Sequence, residues 1–244
     1  MEGYGAETYG QIWASIYDEQ WTGVFPVDST VARLRELAGD GRALELAIGT
    51  GRIALPLHEG GVAVHGIDIS EAMVAKLRTK PGGKDIPVTM GDFADVDVEG
   101  TYRLIYLVFN TLFALTSQED QVRCFANVAR HLDRRGAFVV ECFVPDLARF
   151  DRHQRVQATR VRVDMAGLEI SRHDPVAQQI DSQFVVVGPA GNELYPVHIR
   201  YAFPSEIDLM ARLAGLRLRA RYGGWNEEPF TSDSPAHVSI YESA

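Results

Sequence analysis

The sequence predicts an α/β fold, a doubly wound sheet of seven strands with an antiparallel β insertion after the fifth strand. Between residues 42 and 143, short apolar runs alternate with amphipathic stretches of helical period, the rhythm of βαβ units. Between residues 156 and 203 the pattern changes to period-two alternation. A helical stretch and two strand-like runs then close the chain.

Taken in order, residues 1–40 read as a helical cap. A Trp- and Tyr-rich stretch leads into STVARLRELAG, with Val31, Leu34 and Leu37 at helical spacing and Gly39 and Gly41 as the stop. Residues 41–150 carry the five strands of the core. RALELAI runs into the turn GTG and the helix RIALPLHEG; VAVHGID precedes a helix that Ser70 caps; IPVTMGD is the third strand. The fourth, YRLIYLVF, is nearly all apolar, as a parallel strand covered on both faces should be. A helix opening at Ser117, with Asp120 three residues on, buries Val122, Phe125, Val128 and Leu132 before the fifth strand, GAFVVECF.

Residues 151–203 form the insertion, expected as a small sheet beside the crevice of the core. Its last strand puts Val197, Ile199, Tyr201 and Phe203 on one face and His198 and Arg200 on the other. Residues 204–244 complete the core: PSEIDLMARLAG, capped by Ser205 and Asp208, and the strands LRLRARYGG and HVSIYES.

Of the 244 residues, 46% are hydrophobic and 23% charged, an ordinary globular balance. No apolar run approaches the ~20 residues that cross a bilayer. The N-terminus MEGYGAETYGQIW lacks a secretory pattern, so a cytoplasmic location is expected. The net charge of −9 opposes the phosphate attraction of a nucleic-acid binder and favours a small-molecule substrate. A homodimer is left open. Cys124 and Cys142 lie far apart, without a Cys/His cluster, and read as core residues.

Function concentrates in LELAIGTGRIALPL and GIDIS. Gly49 and Gly51 sit between a strand and a helix, where a missing side chain lets the backbone turn tightly and approach a ligand. With Ala54 they also satisfy the dinucleotide fingerprint, and Asp68 stands where a ribose-binding acid belongs. A nicotinamide-dependent dehydrogenase is therefore one reading of this Rossmann-like core. Glu45 and Asp92 argue against it. Glu45 lies inside the first strand, costly for a charge without a partner, and a cofactor bearing an ammonium and a sulfonium supplies one. Asp92 ends the third strand. Glu45, Asp68 and Asp92 make a row of acids at one sheet edge that would repel a pyrophosphate.

With E-L-A-x-G-T-G-R, then G-x-D-x-S-x-x-M, then G-D-F in order, the chain resembles class I S-adenosylmethionine-dependent methyltransferases over essentially its whole length. It is similar to bacterial small-molecule enzymes, including amino-sugar N-methyltransferases, which insert antiparallel strands at this point. The resemblance implies S-adenosylmethionine as cofactor. It implies that Gly49 and Gly51 flank the methionine part, Asp68 holds the ribose hydroxyls, Ile69 packs on adenine, and Asp92 with Phe93 reads the adenine edge. Asn110 would lie near the methyl group and Tyr17 would close over the cofactor carboxylate.

The reaction implied is in-line transfer of the methyl group to an oxygen or nitrogen of a small acceptor, without a metal. FNTLFAL replaces the Pro-Pro-aromatic motif of nucleic-acid adenine methylation, and no Pro-Cys nucleophile is present. The catalytic residue is left unassigned. His153, His173, His198 and His237 are candidate bases, each reading more simply as a surface or strand residue; Arg200 and Trp225 are candidates for holding substrate. A non-catalytic cofactor-binding module is the alternative function.

Overall fold

Residues 1–21 and 23–244 are described by a computed structural model. Three short helices come first: α1 (Thr8–Trp13), α2 (Tyr17–Trp21) and α3 (Val27–Ala38). Next come β1 (Ala43–Leu46), α4 (Ala54–Glu59), β2 (Val64–Asp68), α5 (Glu71–Thr79), β3 (Val88–Met90) and β4 (Tyr102–Leu107). The first half of the core closes with α6 (Gln118–His131) and β5 (Leu132–Phe143). The insertion is β6 (Gln154–Val161), β7 (Ala166–Asp174), β8 (Gln179–Gly188) and β9 (Gly191–Arg200). Then follow α7 (Pro204–Leu213), β10 (Leu216–Tyr222) and β11 (Ala236–Ser243).

The larger sheet runs β10-β11-β5-β4-β1-β2-β3, the smaller β6-β7-β8-β9. Strands β1 to β5 are mutually parallel, and β11 lies antiparallel between β5 and β10. The period-two pleat sorts the core into two layers. Leu44, Leu46, Ile105, Leu107, Phe138 and Val140 cluster with Phe125 and Val128 of α6 and Ile207 and Met210 of α7. Ala43, Leu104, Tyr106 and Val139 cluster with Leu34 and Ala38 of α3 and Leu57 of α4. Covering both faces makes β1 and β4 wholly apolar apart from Glu45, the hydroxyls of Tyr102 and Tyr106, and Arg103.

Caps fall where side chains permit. Ser70 accepts from the Met73 N–H, and Ser117 from the Asp120 N–H. The expected Ser205/Asp208 cap is not formed. Pro204 starts α7 after Phe203, with no side-chain cap, and Asp208 instead pairs with Arg221 at 2.6 Å. Nor does β9 extend to Phe203: it ends at Arg200, leaving Tyr201 buried and Phe203 37% exposed.

Arg200 is not an open strand-face residue either. It is 5% exposed and donates to Glu206 at 2.7 Å, Gln121 at 2.6 Å and Gln178 at 2.9 Å. The Gln121 amide returns a bond to the Arg200 carbonyl at 2.9 Å. This hub fastens the insertion to α6 and α7. At the other end Trp13, 1% exposed, packs with Met73 of α5 and with Tyr195, Phe184 and Val197 of the insertion, and its indole N–H donates to the Pro196 carbonyl. The helical cap thus bridges the insertion and the core. Among the described residues no helix is long and apolar enough to cross a membrane.

Candidate functional site

The parallel strands bring their C-terminal ends to one rim. After β1 the backbone takes left-handed conformations at Ala47 (φ 58°), Gly49 (φ 57°) and Gly51 (φ 78°). A side chain on Gly51 would sit at a strained φ and bring its Cβ to 2.4 Å from Leu77 Cδ1, so glycine suits both the turn and its packing on α5. Alanine at position 47 carries strain of order 1–3 kcal/mol, a cost met where structure over-determines a functional turn.

The three acids of the rim have different environments. Glu45 is 4% exposed and accepts from the Tyr106 hydroxyl at 3.0 Å. Burial pushes its pKa up to about 8, against the opposing pull of that hydrogen bond and of the Arg52 charge. Asp68 accepts from the Gly49 N–H at 2.6 Å on one oxygen and from the Ser70 N–H at 2.8 Å on the other. Its burial raises the pKa despite those bonds. Each oxygen keeps a second lone pair for a hydroxyl donor. Asp92, half-buried, accepts from the Ala94 N–H and opens a 3₁₀ turn over Phe93–Asp95. Phe93 is buried in the core cluster of α6, while Ile69 is half-buried beside Asp68.

Tyr17 reaches this rim from α2. Burial raises its pKa to about 12, and its hydroxyl feels the charges of Arg52, Glu45, Asp18 and Asp68. Asp18 latches the helix down: it accepts from the Thr50 hydroxyl at 2.6 Å and pairs with Lys80 at 2.7 Å, while Lys80 donates to the Thr50 carbonyl at 2.8 Å. Arg52, absent from the sequence-based set, lies with its guanidinium 4.6 Å from the Phe25 ring and 4.8 Å from the Phe109 ring. Its Nη1 is buried with no hydrogen-bond partner among the described residues.

The orphaned donor and the buried acid together test the expected cofactor. Arg52 wants an anion and Glu45 wants a cation; the carboxylate and ammonium of a methionine moiety provide both. The residues fit S-adenosylmethionine. They would hold its amino-acid end through Arg52, Tyr17 and Glu45, its ribose through Asp68, and its adenine near Ile69 and Asp92. A consequence is measurable. Glu45 must ionise to meet an ammonium, so S-adenosylhomocysteine should bind more tightly as pH rises from 6 to 8, by up to about tenfold per unit. Calorimetric titrations at several pH values check this, and Glu45→Gln should flatten the curve. The raised pKa also means the unliganded protein loses stability as pH climbs from the ordinary carboxylate range through about 8.

Asn110 follows β4 in a further left-handed stretch, Phe109 (φ 60°) and Asn110 (φ 62°). Its side-chain oxygen accepts from the Phe143 N–H at 2.6 Å, so Asn110 braces the ends of β4 and β5. Glu141 completes the brace: one oxygen accepts from the Phe109 N–H and the other from the Trp225 indole, both at 2.8 Å. Ring contacts then run from Phe109 to Trp21 (5.3 Å), from Trp21 to Trp13 (5.9 Å) and from Trp13 to Tyr195 (5.1 Å). They end at a shallow, solvent-open cleft between α1–α2 and the insertion, lined by Trp13, Ile16, Met165, Phe184, Val186 and Tyr195.

The four histidines are not gathered together: His153, His173 and His198 lie in the insertion, and His237 pairs in register with Cys142 near the end of β5. His173 bonds the Tyr201 hydroxyl at 2.9 Å and stacks on Phe150, with His153 beside it at 6.2 Å. His198 meets Asp181 at 2.6 Å. His237 is fully buried against Ser239, its pKa pushed down to about 4 by burial and by the Arg221 charge. Glu227 is half exposed and pairs with Arg33 at 2.5 Å. Both cysteines are buried, and among the described residues no group of three or more His, Cys, Asp or Glu could hold a metal.

Comparison with known proteins follows the same lines. A methyltransferase-domain family model matches residues 43–136. The Cypemycin N-terminal methyltransferase of a Streptomyces species is 30% identical over 241 residues, covering 93% of this chain and 98% of that protein. The structure of the CcbJ methyltransferase from Streptomyces caelestis superposes with a TM-score of 0.91 at 37% identity, covering 99% of this chain and 100% of that one. CalS10, an S-adenosylmethionine-bound amino pentose methyltransferase from Micromonospora echinaspora, shares the fold with a TM-score of 0.71 at 20% identity, covering 93% of this chain and 97% of that one.

Proposed function

The chain belongs to the class I S-adenosylmethionine-dependent methyltransferases, and from that premise we propose that it methylates an amine nitrogen of a small molecule. The observation that carries the choice of nitrogen is the setting of the candidate histidines: His153, His173 and His198 belong to the insertion, and His237 is buried. An alcohol must give up its proton for attack, whereas a neutral amine brings its own lone pair. His173, His198 and His237 are tied to Tyr201, Asp181 and Ser239, and His237 is too weak a base at about pKa 4 to work near neutrality. The relative named an N-terminal methyltransferase supports the same reading.

When bound, S-adenosylmethionine supplies a methyl group activated by a sulfonium, ready for in-line displacement. The protein's share is positioning and exclusion of water. The glycine turn and Asp68 fix the nucleoside, Arg52 and Glu45 hold the amino-acid end, and the latch of Asp18, Thr50 and Lys80 keeps α2 and Tyr17 closed over it. The cleft against the insertion takes the remainder of the acceptor.

The expected result is near-normal turnover when His153, His173, His198 and His237 are replaced one at a time, measured at saturating cofactor in variants that remain folded, with no loss in the presence of a chelator. A large loss at one histidine with cofactor binding intact would favour base-assisted O-methylation instead. Loss in chelator restored by magnesium would overturn the metal-free reading.

A further inference from the structure

Glu141 takes no part in the cofactor reading, yet it is a carboxylate at the same rim. The sheet order β5-β4-β1-β2-β3 decides what it can reach. Glu45, Asp68 and Asp92 stand at the ends of β1, β2 and β3, so the cofactor reading occupies that half of the rim. Glu141 lies near the end of β5, one residue beyond the Val140–Leu107 register pair and two strands from β1. At ~4.8 Å per strand it is about 10 Å from the Glu45 strand, on the half of the rim that the cofactor reading leaves free.

Its setting is that of a charge awaiting a partner. Glu141 is half-buried, and Trp225 against it is 5% exposed. Its two donors, the Phe109 N–H and the Trp225 indole, are both neutral. Among the described residues no Lys, Arg or His forms an ion pair with it, although Arg33, Arg200 and Arg221 each have a carboxylate. Each oxygen retains a lone pair for a further donor. A half-buried carboxylate with only neutral partners is expensive unless a cation completes it.

We infer that Glu141 is the acceptor anchor: it binds the amine nitrogen and stabilises the positive charge that reaches that nitrogen during transfer. This rests on the amine reading above. An amine bound as its ammonium first gives a proton to the carboxylate or to water; as the freed lone pair forms the N–C bond, the C–S pair returns to sulfur and the charge moves from sulfur to nitrogen. The nitrogen then releases its proton to the carboxylate or to water. A carboxylate beside the nitrogen favours that movement.

The bland role, bracing Phe109 and Trp225, is separable. Protein saturated with S-adenosylhomocysteine is titrated with benzylamine and with benzyl alcohol, its neutral match, by ligand-observed NMR. The wild type should prefer the amine by about tenfold or more, the worth of a charged hydrogen bond. Glu141→Gln should abolish that preference while leaving S-adenosylhomocysteine affinity within about twofold. Trp225→Phe, which removes the indole donor and part of the ring but leaves the carboxylate, should keep the preference. A preference that survives Glu141→Gln overturns the anchor, and one lost equally in Trp225→Phe reduces Glu141 to a brace. Equal or absent amine binding by the wild type would instead remove the amine reading itself.

Discussion

Asp68→Ala is expected to weaken S-adenosylhomocysteine binding by roughly 1.5–3 kcal/mol, or about 10- to 150-fold, the range for hydrogen bonds to a charged group. The carboxylate has two tasks. Its oxygens accept from the Gly49 and Ser70 N–H groups at 2.6 and 2.8 Å, so it shapes the left-handed turn as well as offering lone pairs to the ribose. Alanine removes both, leaving the buried Ser70 N–H and the half-buried Gly49 N–H without their acceptor. Asp68→Asn can still accept on its one oxygen and should fall between wild type and alanine. Calorimetric titration reads the affinities, and circular dichroism checks that the variants are folded. An affinity unchanged in folded Asp68→Ala would move the ribose elsewhere on the rim.

The second large effect should appear in stability with almost none in cofactor binding. Arg200→Ala breaks the bonds to Glu206, Gln121 and Gln178 and strands a largely buried carboxylate, Glu206 being 19% exposed. Losing one partner of a buried pair costs about 3–5 kcal/mol; the residual exposure of Glu206 reduces the expectation to roughly 2–4 kcal/mol. Urea unfolding measures it. Burial works against the Glu206 charge, but the bonds from Arg200, Gln178 and Gln118 outweigh it and lower its pKa. That contribution is present above the ordinary glutamate value and is lost as pH falls through the lowered one. S-adenosylhomocysteine affinity should stay within about twofold, because the hub lies between the insertion and helices α6 and α7. His198→Ala should spare it too. Loss of cofactor binding in either folded variant would show that the insertion does more than serve the acceptor side.

These two residues also mark how far the sequence could be read. Asp68 was legible because strand, glycine turn and acid follow one another within a single βαβ unit, so local order fixes the geometry. The strand–helix alternation and the antiparallel insertion were legible for the same reason: period 3.6 and period 2 are local signals. Arg200 was not, because period-two alternation assigns a face and not what covers it. Its partners lie 6, 22 and 79 residues away in the chain. The Ser205/Asp208 cap failed on a similar point. Proline at the first helical position made a side-chain cap dispensable, and Arg221, 13 residues on, claimed Asp208.

At the rim, the acids of β1, β2 and β3 could be named from their place at strand ends, but their partners could not. Tyr106 meets Glu45 because β4 lies beside β1, a crossover in the strand order. Arg52 had one visible signal, its place directly after the glycine turn. Its orphaned Nη1 and the Phe25 and Phe109 rings emerge only from packing. Ala47 looked like an ordinary strand residue, since nothing in an alanine announces a left-handed backbone. Glu141 was hidden inside the apolar run of the fifth strand, and its link to Trp225 spans 84 residues. The position of β11 between β5 and β10 likewise depends on a long-range pairing choice that no local pattern carries.

The measurement that bears most directly on the proposed reaction is a transfer assay with methyl-¹³C S-adenosylmethionine. The acceptors are small primary and secondary amines, each matched with the alcohol of the same skeleton, and ¹³C NMR distinguishes an N-methyl from an O-methyl product. Label on nitrogen, with the matched alcohols left unmodified, is the expected result. Label on oxygen with the amines untouched would contradict it, and cofactor binding without transfer to any acceptor would favour a non-catalytic binding module.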